Sequence, residues 1–400
     1  LNITLVTRQY WPAVGGVERV TMNLSRACLD RGHRVTIVAQ AVDETRFGRM
    51  THIIRERQRF APFVHEGAPV VQFRPSRRRR ALLLPFAAEL IPLAGRASQR
   101  RLRAYTYGYY VRVVRSVLAP LLAEADVVHV LGGEALAVGA VETARWLGKP
   151  VAASPFAHPG EWGLDSGSIR AYRHADAVIA TTVADSDLYR EAGVDQHRIE
   201  IVGLPVPDAA GELTAAEREA LAVRRREEDP LIVFLGQRRP NKRIEVLLDA
   251  IPEIWRRHPS ARFAFVGPGA ELPLRDERIF DVGRVSDADK ARWLARADVL
   301  CLPSFSESFG LVVAEAWSQT VPVVVSDIPV LRELVSASGG GIIARAEPAS
   351  FAAAVVSLLD EPARARELGQ AGHAYWLAHL TPAAVGDRHL AIYERLRRER

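Results

Sequence analysis

Four hundred residues, 48% hydrophobic and 25% charged, exceed what one core holds, so two domains are expected, each with a full sheet and covering helices. No apolar run reaches the length of a bilayer span, the first residues read as a strand instead of an export signal, and two cysteines cannot form a disulfide framework. The expectation is a cytoplasmic globular protein with Cys28 and Cys301 as small buried hydrophobes. The net charge of +6 is unevenly spread, and no nucleic-acid-binding motif accompanies it, so nucleic acid is not expected as a partner.

Strand-like runs alternate with amphipathic helical patterns along almost the whole chain, which predicts parallel sheets with helices on both faces. Ile3–Thr7 is the first strand. Tyr10-Trp-Pro-Ala-Val-Gly-Gly-Val-Glu18 follows it and leads into a helix over Glu18–Asp30. Glycines at such a crossover let a ligand approach the backbone, although Gly15-Gly16 also reads as a plain tight turn. The three-glycine dinucleotide fingerprint is absent, which disfavours a nicotinamide enzyme. Arg34–Ala39, Val70–Phe73, Asp126–Val130, Val151–Ser154, Ala177–Thr181 and Ile199–Val202 complete the first strand series. Within it, Arg74, Arg77, Arg78, Arg79, Arg80, Arg96, Arg100, Arg101 and Arg103 are answered only by Glu89. This basic, apolar-interleaved patch suits a solvated face, an anionic membrane surface or an anionic acceptor. Tyr105, Tyr107, Tyr109 and Tyr110 beside it read as pocket lining or as core.

The proline-rich stretch Gly203–Gly211 marks a hinge. Beyond it, Leu231–Leu235, Arg262–Val266, Ile279–Val282, Val299–Leu302 and Pro322–Val325 form a second series of strands. Gly236-Gln-Arg-Arg-Pro-Asn-Lys-Arg243 follows the first of these, and arginine and lysine past a strand end suit a diphosphate. Val266-Gly-Pro-Gly269 ends another strand in the same manner. In Glu307-Ser-Phe-Gly-Leu-Val-Val-Ala-Glu315, two carboxylates stand eight residues apart around a step that opens a helix. Phe309, Gly310 and Leu311 can offer backbone N–H groups to a phosphate there. Were the whole span helical, the carboxylates would lie roughly 12 Å apart. An amphipathic helix with a solvated glutamate at each end is the plainer alternative. Thr381–Arg400 reads as a closing amphipathic helix.

The ordered set Gly-Gly-x-Glu, Gly-Gln-Arg-x-x-x-Lys, Gly-Pro-Gly and Glu-x7-Glu resembles the retaining glycosyltransferases of family 4 over nearly the whole chain. The resemblance implies an α/β GT-B fold, two Rossmann-like doubly wound domains facing each other across a cleft. Residues 1–205 would bind the acceptor and 206–381 the nucleotide-sugar donor, with a helix at about 382–400 packing back on the first domain. It also implies roles. Glu307 would bind donor-sugar hydroxyls, Phe309 and Gly310 would offer amides, with Leu311 and Val312 beside them, and Glu315 would hold the ribose. Lys242 would bind phosphate, Gly236 and Gly269 would belong to the phosphate loops, and Gly16 would approach the donor. Arg284 and Val285 would lie near the nucleobase, and His158 near the reacting face of the sugar. Tyr10, Trp11 and Gly15 would border the acceptor. Gln237 stands where the family has arginine, and Arg238, one position later, is expected to take over the diphosphate contact.

No residue suggests itself as a covalent nucleophile, so retention points to a front-face reaction with Lys242, Arg238 and the helix-start amides holding the leaving charge. No metal is expected. Asp185-Ser-Asp187 and Asp287-Ala-Asp289 resemble a metal-binding triplet but lie at helix starts, where aspartate satisfies the backbone. His129 reads as structural. The expected partners are a nucleotide-sugar donor and a small-molecule or lipid-linked acceptor. Rival readings are a sugar-nucleotide epimerase or phosphorylase on the same fold, or a non-catalytic sugar-nucleotide-binding module.

Overall fold

A computed structural model describes residues 1–13, 15–40, 62–73, 96–157, 163–227 and 229–400. The chain divides into two compact units, Leu1–Val202 with Val385–Arg400, and Gly203–Ala384.

The first unit is built on an eight-stranded sheet. Its strands are β1 (Asn2–Thr7), β2 (Arg34–Gln40), β3 (Phe63–His65), β4 (Ala68–Phe73), β5 (Val127–Leu131), β6 (Val151–Ser154), β7 (Ala177–Ala180) and β8 (Ile199–Ile201), in the order β3-β4-β2-β1-β5-β6-β7-β8. All neighbours are parallel except β3 and β4. The central strands β5, β6 and β7 are buried at every position, as expected for a sheet covered on both faces. The antiparallel β3–β4 hairpin is absent from the sequence reading. It turns through Glu66 and Gly67, both at positive φ.

The closing helix Pro382–Arg398 docks on this unit through its buried face, which includes Val385, His389, Leu390 and Tyr393. Arg31 pairs with Asp387, Glu200 meets Arg395 at 2.5 Å, and Asp176 meets Arg400 at 3.0 Å. His129 is fully buried between Tyr393 Oη at 2.6 Å and Ser154 Oγ at 2.8 Å, a structural histidine joining β5, β6 and the helix. Burial pushes its ring well below the ordinary histidine range, with neighbouring His389 adding to the effect.

The second unit carries β9 (Leu231–Leu235), β10 (Arg262–Val266), β11 (Ile279–Gly283), β12 (Val299–Leu302), β13 (Val323–Ser326) and β14 (Gly341–Ala344), all parallel, in the order β11-β10-β9-β12-β13-β14. The helices Ile244–Arg257 and Pro348–Asp360 cover one face. Their Val246, Leu247, Ile251, Phe351 and Val355 pack with Phe234, Phe263 and Phe265 of the sheet. On Leu311–Ser318, fully buried Trp317 donates Nε1–H to Gly340 O at 2.9 Å, and a Cβ on Gly372 of the helix Pro362–His379 would meet its ring. The stretch read as a hinge is tied into this unit, since Val206 N–H donates to Leu380 O at 2.8 Å and Trp376 Nε1–H to Val206 O at 2.9 Å. Strand β14 escapes the sequence reading because Gly-Ile-Ile-Ala is short and opens on glycine. Among the described residues, no helix is long and apolar enough to cross a membrane.

Candidate functional site

In the second sheet the chain steps outward from β9 to β10 and β11, then returns to β12 on the other side of β9. Such a reversal opens a crevice at the carboxyl ends of the two strands, where doubly wound sheets bind ligands. The loops leaving β9 and β12 are joined there. Phe305 N–H donates to Asn241 O at 3.0 Å, and Lys242 Nζ donates to Glu307 Oε1 at 2.5 Å. Lys242 closes the short turn Pro240–Lys242, and Arg243, in the left-handed region at φ 46°, starts the helix Ile244–Arg257. The lysine side chain is 20% exposed and that of Glu307 only 8%, so this pair is shielded from water without being sealed from it.

The helix after Glu307 opens at the Phe309-Gly310 step, where the sequence places it. Gly310 at φ 89° is its N-cap, so Leu311–Ser318 is helical and Glu307 belongs to the preceding loop. The 12 Å separation therefore does not apply. A side chain at Gly310 would be strained and would meet Leu331 Cδ2 at 2.8 Å. No side chain caps this start, which leaves the first-turn amides, those of Leu311 and Val312 among them, beyond the reach of intrahelical bonding. The Phe309 ring is buried at 2% exposure, so it anchors the turn and can serve a ligand only through its backbone.

The ends of β9, β10 and β11 are drawn together by backbone contact. Gly236 N–H donates to Val266 O at 2.9 Å, and Gly267 N–H to Gly283 O at 2.7 Å. A Cβ at Gly267, where φ is 133°, would lie 2.1 Å from Gly236 O. Arg238 forms a bridge with Gly269 and donates its N–H to Pro268 O at 2.8 Å. Its side chain turns inward, contrary to the expectation that it reaches a diphosphate. It is 5% exposed, lies 2.7 Å from Asp281 Oδ1 and donates to Gly267 O at 3.2 Å. The guanidinium beside Asp281 holds that carboxyl below the usual range. Through Asp281 and Gly267, Arg238 ties three strand ends together, although its buried Nε has no hydrogen-bond partner among the described residues, and the next residue, Arg239, is exposed. Arg284, exposed, and Val285, half-buried, follow β11 on the same rim.

Sequence reasoning missed Lys290, which meets Glu315 Oε1 at 2.6 Å, and Asp281 and Asn241, whose partners are distant in sequence. Local spacing carries no signal for such pairings. The aspartate triplets serve helix starts. Thr182 and Ser286 are the capping residues, accepting the N–H of Asp185 and Asp289, while the Asp185 carboxylate accepts from Thr181 and that of Asp289 from Ser286.

In the first unit the order reverses between β1 and β5. The loop after β1 leads to the helix Gly16–Leu29, with Gly15 as N-cap and Gly16 exposed. Glu18 folds back on this start, and a Cβ on Gly15 would meet its Oε2 at 2.4 Å. Burial raises the Glu18 carboxyl above its ordinary range, against the opposing pull of its own amide and of Arg8. Tyr10 does not border an open surface as expected. Its ring is 3% exposed, its hydroxyl lies 3.0 Å from His65 Nδ1, and burial, with Glu66 nearby, pushes the phenol up to about 12. Trp11 is 48% exposed and stacks on His65 with centroids 4.7 Å apart and planes at 20°. Gln72 Nε2–H donates to the Trp11 backbone carbonyl at 2.8 Å, which fixes the main chain that carries the stacked indole. Of the four tyrosines, Tyr110 is buried, Tyr107 donates to Asp165 Oδ1 at 3.0 Å, and Tyr105 is 66% exposed. His158 and the cluster Arg77, Arg78, Arg79 and Arg80 lie outside the described residues.

Two family profiles match, "Glycosyl transferase 4-like domain" over residues 15–205 and "Glycosyl transferases group 1" over residues 229–361. D-inositol 3-phosphate glycosyltransferase 2 of Catenulispora acidiphila is 32% identical over 56% of this chain and 58% of its own length. Phosphatidyl-myo-inositol mannosyltransferase of Mycobacterium leprae is 36% identical over 32% of this chain and 37% of its own. The matches thus span less than two thirds of either relative. The Anabaena protein Alr3699/HepE, solved in complex with UDP, superposes with a TM-score of 0.70 at 15% identity, covering 99% of this chain and 100% of that one. One family description fits each half of the sequence and the fold is shared throughout: the chain belongs to the family-4 glycosyltransferases of GT-B fold.

Proposed function

We propose that the protein moves a hexosyl-type sugar from a nucleotide-diphosphate sugar to an acceptor hydroxyl, with retention and without a metal. The observation that carries this reading is the Lys242–Glu307 pair, which bridges the loops of β9 and β12 beside the uncapped start of Leu311–Ser318. An anion arriving there finds one ammonium and a set of amides at the positive end of a helix. Because Lys242 already faces a carboxylate, the diphosphate shares the lysine with Glu307, and Glu307 keeps a second oxygen for a sugar hydroxyl.

In the reaction the bond between the anomeric carbon and the phosphate oxygen breaks. The acceptor oxygen bonds to that carbon from the same face, and its proton passes to the departing phosphate. Lys242 and the amides of Phe309–Val312 hold the charge that grows on the diphosphate, and such preorganised donors supply most of the rate in reactions of this kind. Arg238 is replaced in this role by Arg239, the exposed cation of the same loop.

For the acceptor, both relatives are named for inositol-based substrates, and the Trp11–His65 stack offers the flat, exposed surface on which the apolar face of a cyclic polyol rests. We therefore assign the acceptor to the inositol class, as a free phosphate or within a lipid. In the lipid case Arg77–Arg80 would meet the membrane, and the protein would act on its cytoplasmic face. Incubation with UDP-, GDP- and ADP-hexoses and inositol phosphates, followed by proton NMR of the product, tests the proposal. A product with the donor's anomeric configuration is expected. Inversion, or rearrangement of the donor sugar without any acceptor, would refute it.

A further inference from the structure

Lys290 has no part in the reading above, yet its surroundings repeat those of Lys242. It stands on the helix Asp287–Arg296, whose backbone is fixed by the Ser286 cap and by buried Ala291 and Leu294. Its ammonium lies 2.6 Å from Glu315 Oε1 and 3.5 Å from Asp287 Oδ1, and the side chains of Lys290 and Glu315 are each 14% exposed. Among the described residues, Glu315 Oε1 accepts from Lys290 and Oε2 has no hydrogen bond. Each glutamate of the spaced pair thus accepts a hydrogen bond at one oxygen from a lysine of a separate loop or helix, and among the same residues the other oxygen has no hydrogen bond.

We infer that Lys290 is the positioning residue for Glu315, holding its carboxylate so that Oε2 accepts a hydroxyl of the nucleotide's ribose. The inference rests on the proposed nucleotide-sugar reading. A glutamate side chain turns about three bonds, and a single acceptor discriminates between sugars only if it is held in place. The lysine supplies that hold at one oxygen, in a site shielded enough that water competes weakly. A nucleotide lacking the hydroxyl leaves the oriented carboxylate unpaired, at a cost of about tenfold or more in affinity. Once the lysine is removed, the carboxylate swings toward solvent and the difference between ribose and deoxyribose shrinks.

The test is calorimetric titration of the full chain with UDP, GDP and ADP, then with the 2′-deoxy and 3′-deoxy forms of whichever binds tightest. The wild type is expected to prefer the ribonucleotide over at least one deoxy form by about tenfold. Lys290→Met and Lys290→Gln should reduce that preference to about twofold, mainly by weakening the ribonucleotide, and Lys290→Arg should restore most of it. Lys290→Met combined with Glu315→Gln should lose no more than Glu315→Gln alone. A full preference in folded Lys290→Met or Lys290→Gln overturns the inference while leaving the nucleotide reading intact. Failure of the wild type to bind any of the three diphosphates overturns both.

Discussion

Replacing Lys242 by methionine would separate the structural part of the Lys242–Glu307 pair from its chemistry. The substitution leaves the Glu307 carboxylate, 8% exposed, without its counter-ion. Breaking a buried pair from one side costs about 3–5 kcal/mol, and the 20% exposure of the lysine end places this case near 2–3 kcal/mol. For a unit of this size that corresponds to a melting point lower by roughly 5–10 °C. The double variant Lys242→Met, Glu307→Gln removes both charges and should recover at least half of the loss, because the cost lies in the stranded carboxylate and not in the missing attraction. Turnover should be lost in both. Scanning fluorimetry of the three proteins, with urea titrations to verify a cooperative transition, gives the answer. If the single variant melts with the wild type and the double melts lower than the single, the pair is not the shielded contact described here.

Further predictions concern the frame of the site and the docked helix. Gly267→Ala would place a Cβ 2.1 Å from Gly236 O and should cost about 3 kcal/mol or more, read as insoluble protein or a large fall in the urea midpoint; wild-type stability would contradict the close approach of β9 and β10. Arg238→Met should lower stability more than the donor KM, and Arg239→Ala should raise the donor KM at unchanged stability; the reverse pattern would return the diphosphate contact to Arg238. Burial lowers His389 from an ordinary 6.5 to about 4 in the folded protein. The unfolded chain therefore binds the proton first, and stability that is complete above pH 6.5 falls by about 3 kcal/mol as the pH drops toward 4. Urea midpoints at pH 7.5 and 5 should differ less in His389→Leu, and an unchanged difference would exclude this residue as a source.

Most of the frame was legible because buried parallel strands write themselves as apolar, β-branched runs such as Leu231–Leu235, and because Gly and Pro punctuate the loops that follow. Short or glycine-bearing strands escape that signal, as Phe63–His65 and Gly341–Ala344 did. The site was legible as a set of loops and not as a set of side chains. Spacing identified the loop holding Lys242, but which cations face outward is decided by distant partners. Asp281 turns Arg238 inward, Glu315 engages Lys290, and His65 holds Trp11. The helix start at the Phe309-Gly310 step was legible because glycine punctuates it, and the structure places the N-cap at Gly310, with Glu307 in the loop before it.

Release of nucleoside diphosphate by wild type and Lys242→Ala, with and without acceptor, is the most direct test of the claim that Lys242, Glu307 and the Leu311 helix start form a site for glycosyl transfer. The account predicts acceptor-dependent release by the wild type and a fall in kcat of about a hundredfold or more in the folded variant. Release that ignores the acceptor, or an undiminished kcat in Lys242→Ala, would contradict it.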